Sequence, residues 1–380
     1  MRNKPLHLTT DMKNKNNTTT KLKQKREQAK KAKLIKLGID AHIDRYVVVR
    51  QIDGATPQPP QSFNLGSFLS WAEKQLEKAE KVISAYEAGP LGYSLHRELE
   101  KMGMTNLVIR PRDWDEYGKK VKTDKRDAKQ IVLALDRYCC GNKDAFSVVR
   151  VPTEEEERKR SVSRQRQSLQ KHKQRLAAQG RSLVMYYGGR LKGQWWKPRQ
   201  WSRLTGGIML ADFLIDLLKP LRDIILVVEE KLKARVKQIE EAAPVGLPRG
   251  MGKQTAEELE REIGDWHRFK TRRQVGSYTG LCPSEDSSAQ RRFQGSINKH
   301  GNRRVRTLLI ECAWRLVFFQ PDYQAVRRWL TLLLDVKTTK AKRKKIIVAL
   351  ARQFVVDWWK IKTNRCRPEE LGLELMKATN

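Results

Sequence analysis

Three short segments in the first third of the chain hold residues able to do chemistry: Gly38-Ile39-Asp40-Ala41-His42, Tyr86-Glu87-Ala88-Gly89 and Lys122-Thr123-Asp124-Lys125-Arg126-Asp127-Ala128. Each sets an acid at a strand end or on one face of a helix. Asp124 and Asp127 are three residues apart, which makes them neighbours on a helical surface. Four carboxylates converging in one place repel one another unless a cation sits between them. A pair of hydrated Mg²⁺ ions suits an all-oxygen ligand set, and a phosphodiester is the natural substrate of such a site. Taken singly, each acid has a plainer reading: a solvated turn residue, or for Asp124 a charge favoured by a helix N-terminus.

The elements that must carry these acids follow from the patterning. Leu34–Asp40 and Tyr46–Ile52 are Val- and Ile-rich runs joined by a short polar turn, the pattern of a hairpin. Helical patterns over Ser67–Ala79, Leu91–Met102 and Asp124–Tyr138 alternate with short strands at Val82–Tyr86 and Asn106–Arg110. A hairpin followed by alternating helix and strand predicts a mixed α/β sheet. Asp40 and Glu87 then end strands, and a helix presents Asp124 and Asp127.

The bulk composition points to a polyanionic partner. Among 380 residues, 78 Lys and Arg stand against 43 acids, a formal charge of +35. Such an excess favours nucleic acid over an acidic membrane surface. No run approaches the length of a membrane helix and no signal-peptide pattern is present. The five cysteines form no Cys-x-x-Cys pair, which argues against a structural zinc site or a disulfide framework and fits a reducing cytoplasm, and the six histidines are scattered, which argues against a His-based metal site. Cys312 lies in an apolar helical stripe and is expected in the core.

Five regions are expected along the chain. Residues 1–33 are polar and basic and read as a disordered arm. Residues 34–150 form the α/β domain. Residues 151–242 are helical: Glu154–Gln179 is one long charged helix, Ala211–Leu218 a second, and Leu221–Ala242 a third with Ile225, Val228, Leu232, Val236 and Ile239 at coiled-coil spacing. That seam predicts at least a dimer. Trp195-Trp196-Lys197-Pro198-Arg199-Gln200-Trp201 lies between them; packing at the tip of a helical hairpin and contact with nucleic acid are equally open, because buried and base-stacking tryptophans look alike in sequence. Residues 243–335 read as a compact helical unit, and residues 336–380 as a basic helix and polar tail.

A second chemical constellation lies in that fourth region. Gly250-Met251-Gly252-Lys253 opens a helix, and its spacing suits a helix-hairpin-helix phosphate clamp. It does not suit a P-loop, since Gln254 follows Lys253. Further on, Ser287-Ser288-Ala289-Gln290-Arg291-Arg292 and Ile297-Asn298-Lys299-His300-Gly301-Asn302-Arg303-Arg304 form a polar loop feeding an amphipathic helix. A serine among so many cations is either a turn residue or a nucleophile aimed at a phosphate.

The three acidic segments in this order, the long helical insert and the serine segment together resemble the DEDD insertion-sequence transposases, which include the pilin-gene invertases. The resemblance spans roughly residues 34–335. It implies an RNase H-like, RuvC-like catalytic domain at 34–150, a coiled-coil region at 151–242 and a C-terminal transposase domain at 243–335. It further implies that Asp40, Glu87, Asp124 and Asp127 hold Mg²⁺. By spacing to Ile297, Ser288 matches the family's nucleophile; Ala289 stands where the family has glycine, which leaves Ser287 as a second candidate. Gly250, Gly252, Lys253, Arg291, Arg292, Lys299, Arg303 and Arg304 are the expected nucleic-acid contacts. The implied activity is a bacterial, cytoplasmic, Mg²⁺-dependent recombinase that acts as a homo-oligomer on DNA ends and target, guided by a structured RNA. A metal-dependent nuclease of branched DNA and an inactive nucleic-acid-binding derivative are the rival readings.

Overall fold

The computed structural model describes residues 31–112, 123–207, 210–288 and 291–376, in one compact unit ending at Val151 and a second beginning at Pro152. All but the end of the expected basic arm lies outside the described residues. The first strand starts at Ala32, so Ala32 and Lys33 belong to the sheet rather than to the arm.

In the first unit, five strands form a mixed sheet: β1 (Ala32–Ala41), β2 (Tyr46–Ile52), β3 (Gln61–Phe63), β4 (Ala79–Glu87) and β5 (Thr105–Ile109). Their order is β3-β2-β1-β4-β5. The first three are antiparallel neighbours, and β4 and β5 run parallel to β1. Helices α1 (Leu65–Lys78), α2 (Ser94–Lys101) and α3 (Asp124–Cys139) complete the unit.

Side-chain alternation divides the sheet into two faces. Ile35, Leu37 and Ile39 of β1 pack with Phe68 and Ala72 of α1 and Leu95 and Leu99 of α2. On the opposite face, Ile83 and Ala85 of β4 and Ile109 of β5 pack against Ile131, Ala134 and Leu135 of α3. Val47 and Val49 of β2 meet Ala128 and Val132 of the same helix. The helices and strands expected from the sequence agree with this unit to within three residues at their ends, and the short edge strand β3 was not expected.

The second unit begins with α4 (Glu154–Tyr186), about two turns longer than its charge pattern suggested, then α5 (Pro198–Thr205) and α6 (Asp212–Glu241). Thr153 and Glu156 form a capping box at the start of α4. Gly180 does not end that helix, because its missing side chain is the space the Trp195 ring occupies: a Cβ there would lie 2.4 Å from the ring. Trp195 and Trp196 are buried in the core between α4 and α6, and the Trp195 indole N–H donates to the Ala177 carbonyl at 3.1 Å. The tryptophans are therefore packing residues and not an exposed stacking platform. The two helices expected on either side of Pro220 are a single helix. An interior proline costs about 3 kcal/mol, and burial of Leu218 and Ile225 beside it holds the helix together. Of the predicted seam, Ile225, Leu232 and Ile239 are buried, with Leu218 one heptad earlier; Leu218 and Ile225 pack on Ala177 and Val184 of α4 in the same chain, so the seam is satisfied within one copy and does not itself call for a dimer.

The charged face of α4 is accounted for by α7 (Lys253–Ile263), whose Glu258 and Glu262 are buried. Arg166 pairs with Glu258 at 2.6 Å and Arg164 with Glu262 at 3.3 Å. There follow α8 (Arg272–Thr279), the hairpin β6 (Pro283–Ser288) and β7 (Arg291–Ile297), then α9 (Arg303–Phe319), α10 (Gln324–Arg327), α11 (Leu330–Leu334) and α12 (Lys340–Lys362). The serine segment, expected as a loop, is thus a two-stranded ladder. Its polar sequence lacks the apolar alternation that marks a half-buried strand, since neither strand contributes much to a core. The C-terminal segment is not a free tail: Leu373 is buried, Met376 N–H donates to Leu247 O at 2.8 Å and Arg249 N–H to Glu374 O at 3.0 Å. Leu309, Cys312 and Leu316 of α9 and Ile347, Phe354 and Val355 of α12 form the core of this region. Burial pushes the Cys312 thiol up to about 12, as befits a core cysteine. Among the described residues, no helix is long and apolar enough to cross a membrane.

Candidate active site

The site in the first unit is set by a match between two repeats. Lys36, Gly38 and Asp40 share the face of β1 turned toward α3, at steps of two residues or about 6.6 Å. Asp124, Ala128, Val132 and Asp136 share one face of α3, at steps of four residues or about 6 Å. The two rows run in opposite directions and stay in phase. Lys36 Nζ meets Asp136 Oδ1 at 2.5 Å. At Gly38 the two backbones almost touch: a Cβ would lie 2.3 Å from Ala128 O and 2.5 Å from Val132 N. The next step brings Asp124 to Asp40.

At that end, one ligand atom from each of Asp40, His42 and Asp124 lies within 4.8 Å of the others. His42 Nε2 is 3.2 Å from Asp40 Oδ2 and 3.7 Å from Asp124 Oδ1. Arg45, in the turn after β1, forms an ion pair with Asp124. Burial raises the Asp40 carboxyl above its ordinary value; His42 pulls it down, and the negative charges of Asp124 and Asp127 push it up further. Glu87 reaches the same end by register. Ile39 is opposite Tyr86 in the parallel β1–β4 pair, so Asp40 and Glu87 end neighbouring strands. Glu87 Oε1 accepts the Arg112 backbone N–H at 3.4 Å. Asp40, Glu87, Asp124 and Asp127 stand on the elements expected of them, but among the described residues the three-ligand cluster holds only Asp40 and Asp124 of the four; His42, its third member, and Arg45 were not expected. The only signal for those two was their position in the turn that follows Asp40.

Carboxylate oxygens from two elements suit a hard divalent cation, and Mg²⁺ fits such a set. The imidazole nitrogen adds a donor that Mn²⁺ or Zn²⁺ takes more readily than Mg²⁺ does. Arg45 is largely exposed, so its pair with Asp124 costs little to open.

The other expected site residues lie in the second unit. Gly252 caps α7, and Lys253 at its first position is exposed. Gly250 has a positive φ of 94°, and a Cβ there would lie 2.9 Å from Phe319, so packing explains this glycine without a phosphate. Ser287 stands opposite Arg292 and Ser288 opposite Arg291 in the β6–β7 ladder. Ala289 falls outside the described residues. Lys299, Arg303 and Arg304 are exposed at the loop and first turn leading into α9. Arg304 already donates to Gln167 Oε1 at 3.0 Å. Arg306, not expected from sequence, ties this loop together by donating to the carbonyls of Thr279 and Lys299 at 3.0 and 3.3 Å.

The known proteins that this chain resembles are transposases of insertion sequences. The family model described as "Transposase IS116/IS110/IS902 family" matches residues 248–327. A Sinorhizobium fredii protein named "Putative transposase y4rJ" is 31% identical over 307 residues, 73% of this chain and 76% of that protein. The transposase for insertion sequence element IS1111A from Coxiella burnetii is 26% identical over 287 residues, 71% of this chain and 74% of the relative. The transposase for insertion sequence element IS1328 from Yersinia enterocolitica is 23% identical over 288 residues, 74% and 84% of the two chains. The chain belongs to the IS116/IS110/IS902 family of transposases.

Proposed function

We propose that this transposase excises and inserts its DNA element by serine-mediated strand transfer, with Asp40, Glu87, Asp124 and Asp127 as a Mg²⁺ site on an RNase H-like domain. The observation that carries the reading is the in-phase packing of α3 on β1, which sets Asp124 against Asp40 with His42 between them. The strand order β3-β2-β1-β4-β5, with three antiparallel strands followed by two parallel ones, supports the RNase H-like assignment. When bound, Mg²⁺ would supply charge to a phosphate oxygen and lower the barrier to attack. The protein's own part is to hold that phosphate and to present a hydroxyl. Ser288 Oγ loses its proton and bonds to phosphorus as one deoxyribose oxygen leaves protonated, so the ester energy is kept for rejoining. Ser287 is the alternative hydroxyl. The charge of +35 supports a protein that reads backbone while a structured RNA supplies the pairing.

The test is a strand-transfer reaction with purified protein, Mg²⁺, co-purifying RNA and DNA spanning the joined element ends. Wild type is expected to yield recombinant junctions and a protease-sensitive DNA adduct; Ser288→Ala yields neither, and Ser287→Ala retains both. Cleavage without any adduct in wild type would replace this reading with a water-driven nuclease. Binding without cleavage would leave a nucleic-acid-binding derivative.

The homo-oligomer has physical support on α6. Phe213, Leu217, Ile224 and Val227 are about half exposed, along one helical face. Tyr186 and Tyr187 extend this apolar surface, the Tyr187 ring lying edge-on to Phe213 at 5.1 Å. A second copy is the occupant proposed. Leu217→Glu with Ile224→Glu is expected to convert the oligomer to monomer in sedimentation velocity; an unchanged sedimentation coefficient would exclude this surface.

A further inference from the structure

The second unit contains a groove of about 1130 Å³ that none of the residues discussed above accounts for. One wall is β7 from Gln294 to Ile297, on the same hairpin as Ser287 and Ser288. The floor is the face of α12 that carries Val348, Ala349, Arg352 and Val356. Seven cations line it: Arg272 and Arg273 at the start of α8, Arg328, Lys344, Lys345, Arg352 and Lys360. Among the described residues, Lys360 pairs with Asp357 and the other six have no carboxylate within ion-pair distance. Asp357 is the one acid in the lining, and it is already engaged by the Tyr323 hydroxyl at 2.8 Å, Gln353 Nε2 at 3.0 Å and Lys360 Nζ at 3.3 Å.

Two further facts show that these charges are not placed for stability. Lys340, Lys342, Arg343, Lys344 and Lys345 occupy the first turns of α12, where the helix dipole disfavours cations. They also stand together, so they repel one another. Both costs are relieved by a bound polyanion. Trp329, partly buried against the core with the Arg328 guanidinium 5.2 Å from its ring centroid, lines the same groove. From Lys344 to Lys360 the floor helix runs about 24 Å, the scale of a short oligonucleotide. Cations along a track with an aromatic ring beside it are the means by which single strands are held without sequence preference.

We propose that this groove holds an unpaired nucleic-acid strand, its phosphates against Arg272, Arg273, Arg328, Lys344, Lys345 and Arg352 and a base against Trp329. The groove does not depend on the serine chemistry, and it works equally in a nuclease or a binding protein.

The test is fluorescence anisotropy of the full chain with labelled twelve-residue oligo-dT, oligo-U and a duplex of the same length, across a salt series. Lys344→Ala with Lys345→Ala is expected to weaken single-strand binding about tenfold at 0.15 M salt and to lower the salt slope by about 1.4. Lys231→Ala with Lys237→Ala on exposed α6 removes the same charge and is expected to change affinity less than threefold. Trp329→Leu is expected to weaken the single strands at least about fivefold and leave the duplex unaffected. Melting curves confirm that each variant is folded, and crosslinking of 4-thiouridine or 4-thiothymidine oligomers to wild type, mapped by mass spectrometry, reports contact without any substitution. A loss for oligo-U alone identifies RNA as the occupant, and a loss for oligo-dT alone identifies DNA. Equal losses in the α6 control, tighter binding of the duplex, or crosslinks that avoid β7 and α12 would overturn the proposal.

Discussion

Asp40→Asn is expected to abolish strand transfer while making the protein more stable at neutral pH. Removing one oxygen ligand from a site that must stabilise charge on a transferring phosphate forfeits several kcal/mol, a rate loss of at least about a thousandfold. The stability change has the opposite sign. Burial and the neighbouring charges of Asp124 and Asp127 raise the Asp40 carboxyl, so the folded protein holds the proton more tightly than the unfolded chain. That preference stabilises the fold fully below the ordinary aspartate value of 3.8, and is lost as pH rises through the higher folded value. At pH 7 the ionised carboxylate is therefore a liability that asparagine removes. Melting temperatures measured from pH 7 down to pH 3.5 are expected to show the variant ahead at neutral pH and the gap closing on acidification. Millimolar Mg²⁺ should raise the melting temperature of wild type and leave the variant unchanged. Equal melting temperatures for the two proteins across the range would show that Asp40 is solvated and uncoupled from Asp124.

Gly38→Ala, two residues earlier on the same strand face, is expected to lose both stability and activity. The added Cβ would lie 2.3 Å from Ala128 O, 2.5 Å from Val132 N and 2.9 Å from Val132 Cβ. Two of these are backbone atoms of α3, so no change of rotamer relieves the clash and the helix itself must lift from the sheet. Overpacking of this kind costs about 3 kcal/mol, read as a lower midpoint in urea with an unchanged slope. The lift also moves Asp124 and Asp127 relative to Asp40, and a displacement near 1 Å costs about a hundredfold in rate. The contrast between two neighbouring positions is the informative result. Asp40→Asn trades activity for stability, whereas Gly38→Ala loses both, because one removes a charge and the other a distance. A Gly38→Ala protein with wild-type stability would mean that α3 does not rest on β1.

Much of the first unit was legible because its signals are local. Val- and Ile-rich runs give strands, and the apolar positions Ile131, Val132 and Leu135 mark the buried side of the helix that begins at Asp124. The charge excess pointed to a polyanionic partner, and the type of protein came from the resemblance carried by the acidic segments, the helical insert and the serine segment together. Where local signals compete with distant partners, the sequence misled. Gly180 and Pro220 look like breaks, but Trp195 fills the space over one, and burial of Leu218 and Ile225 carries the helix through the other. The serine segment has no apolar alternation, so its strands are visible only in the ladder that pairs Ser288 with Arg291.

The sequence by itself determined which residues carry charge, where strands and helices form, and the kind of chemistry the acids can support, because these depend on side-chain type and on spacing within one element. The tertiary structure decided what depends on two elements at once. It set the phase of α3 on β1, brought His42 and Arg45 to Asp124, aligned Glu87 with Asp40 through the parallel register, and gathered cations from α8, α12 and the segment between α9 and α11 into one groove. Each is a contact between residues far apart in the chain, fixed by packing and register, for which no local pattern exists.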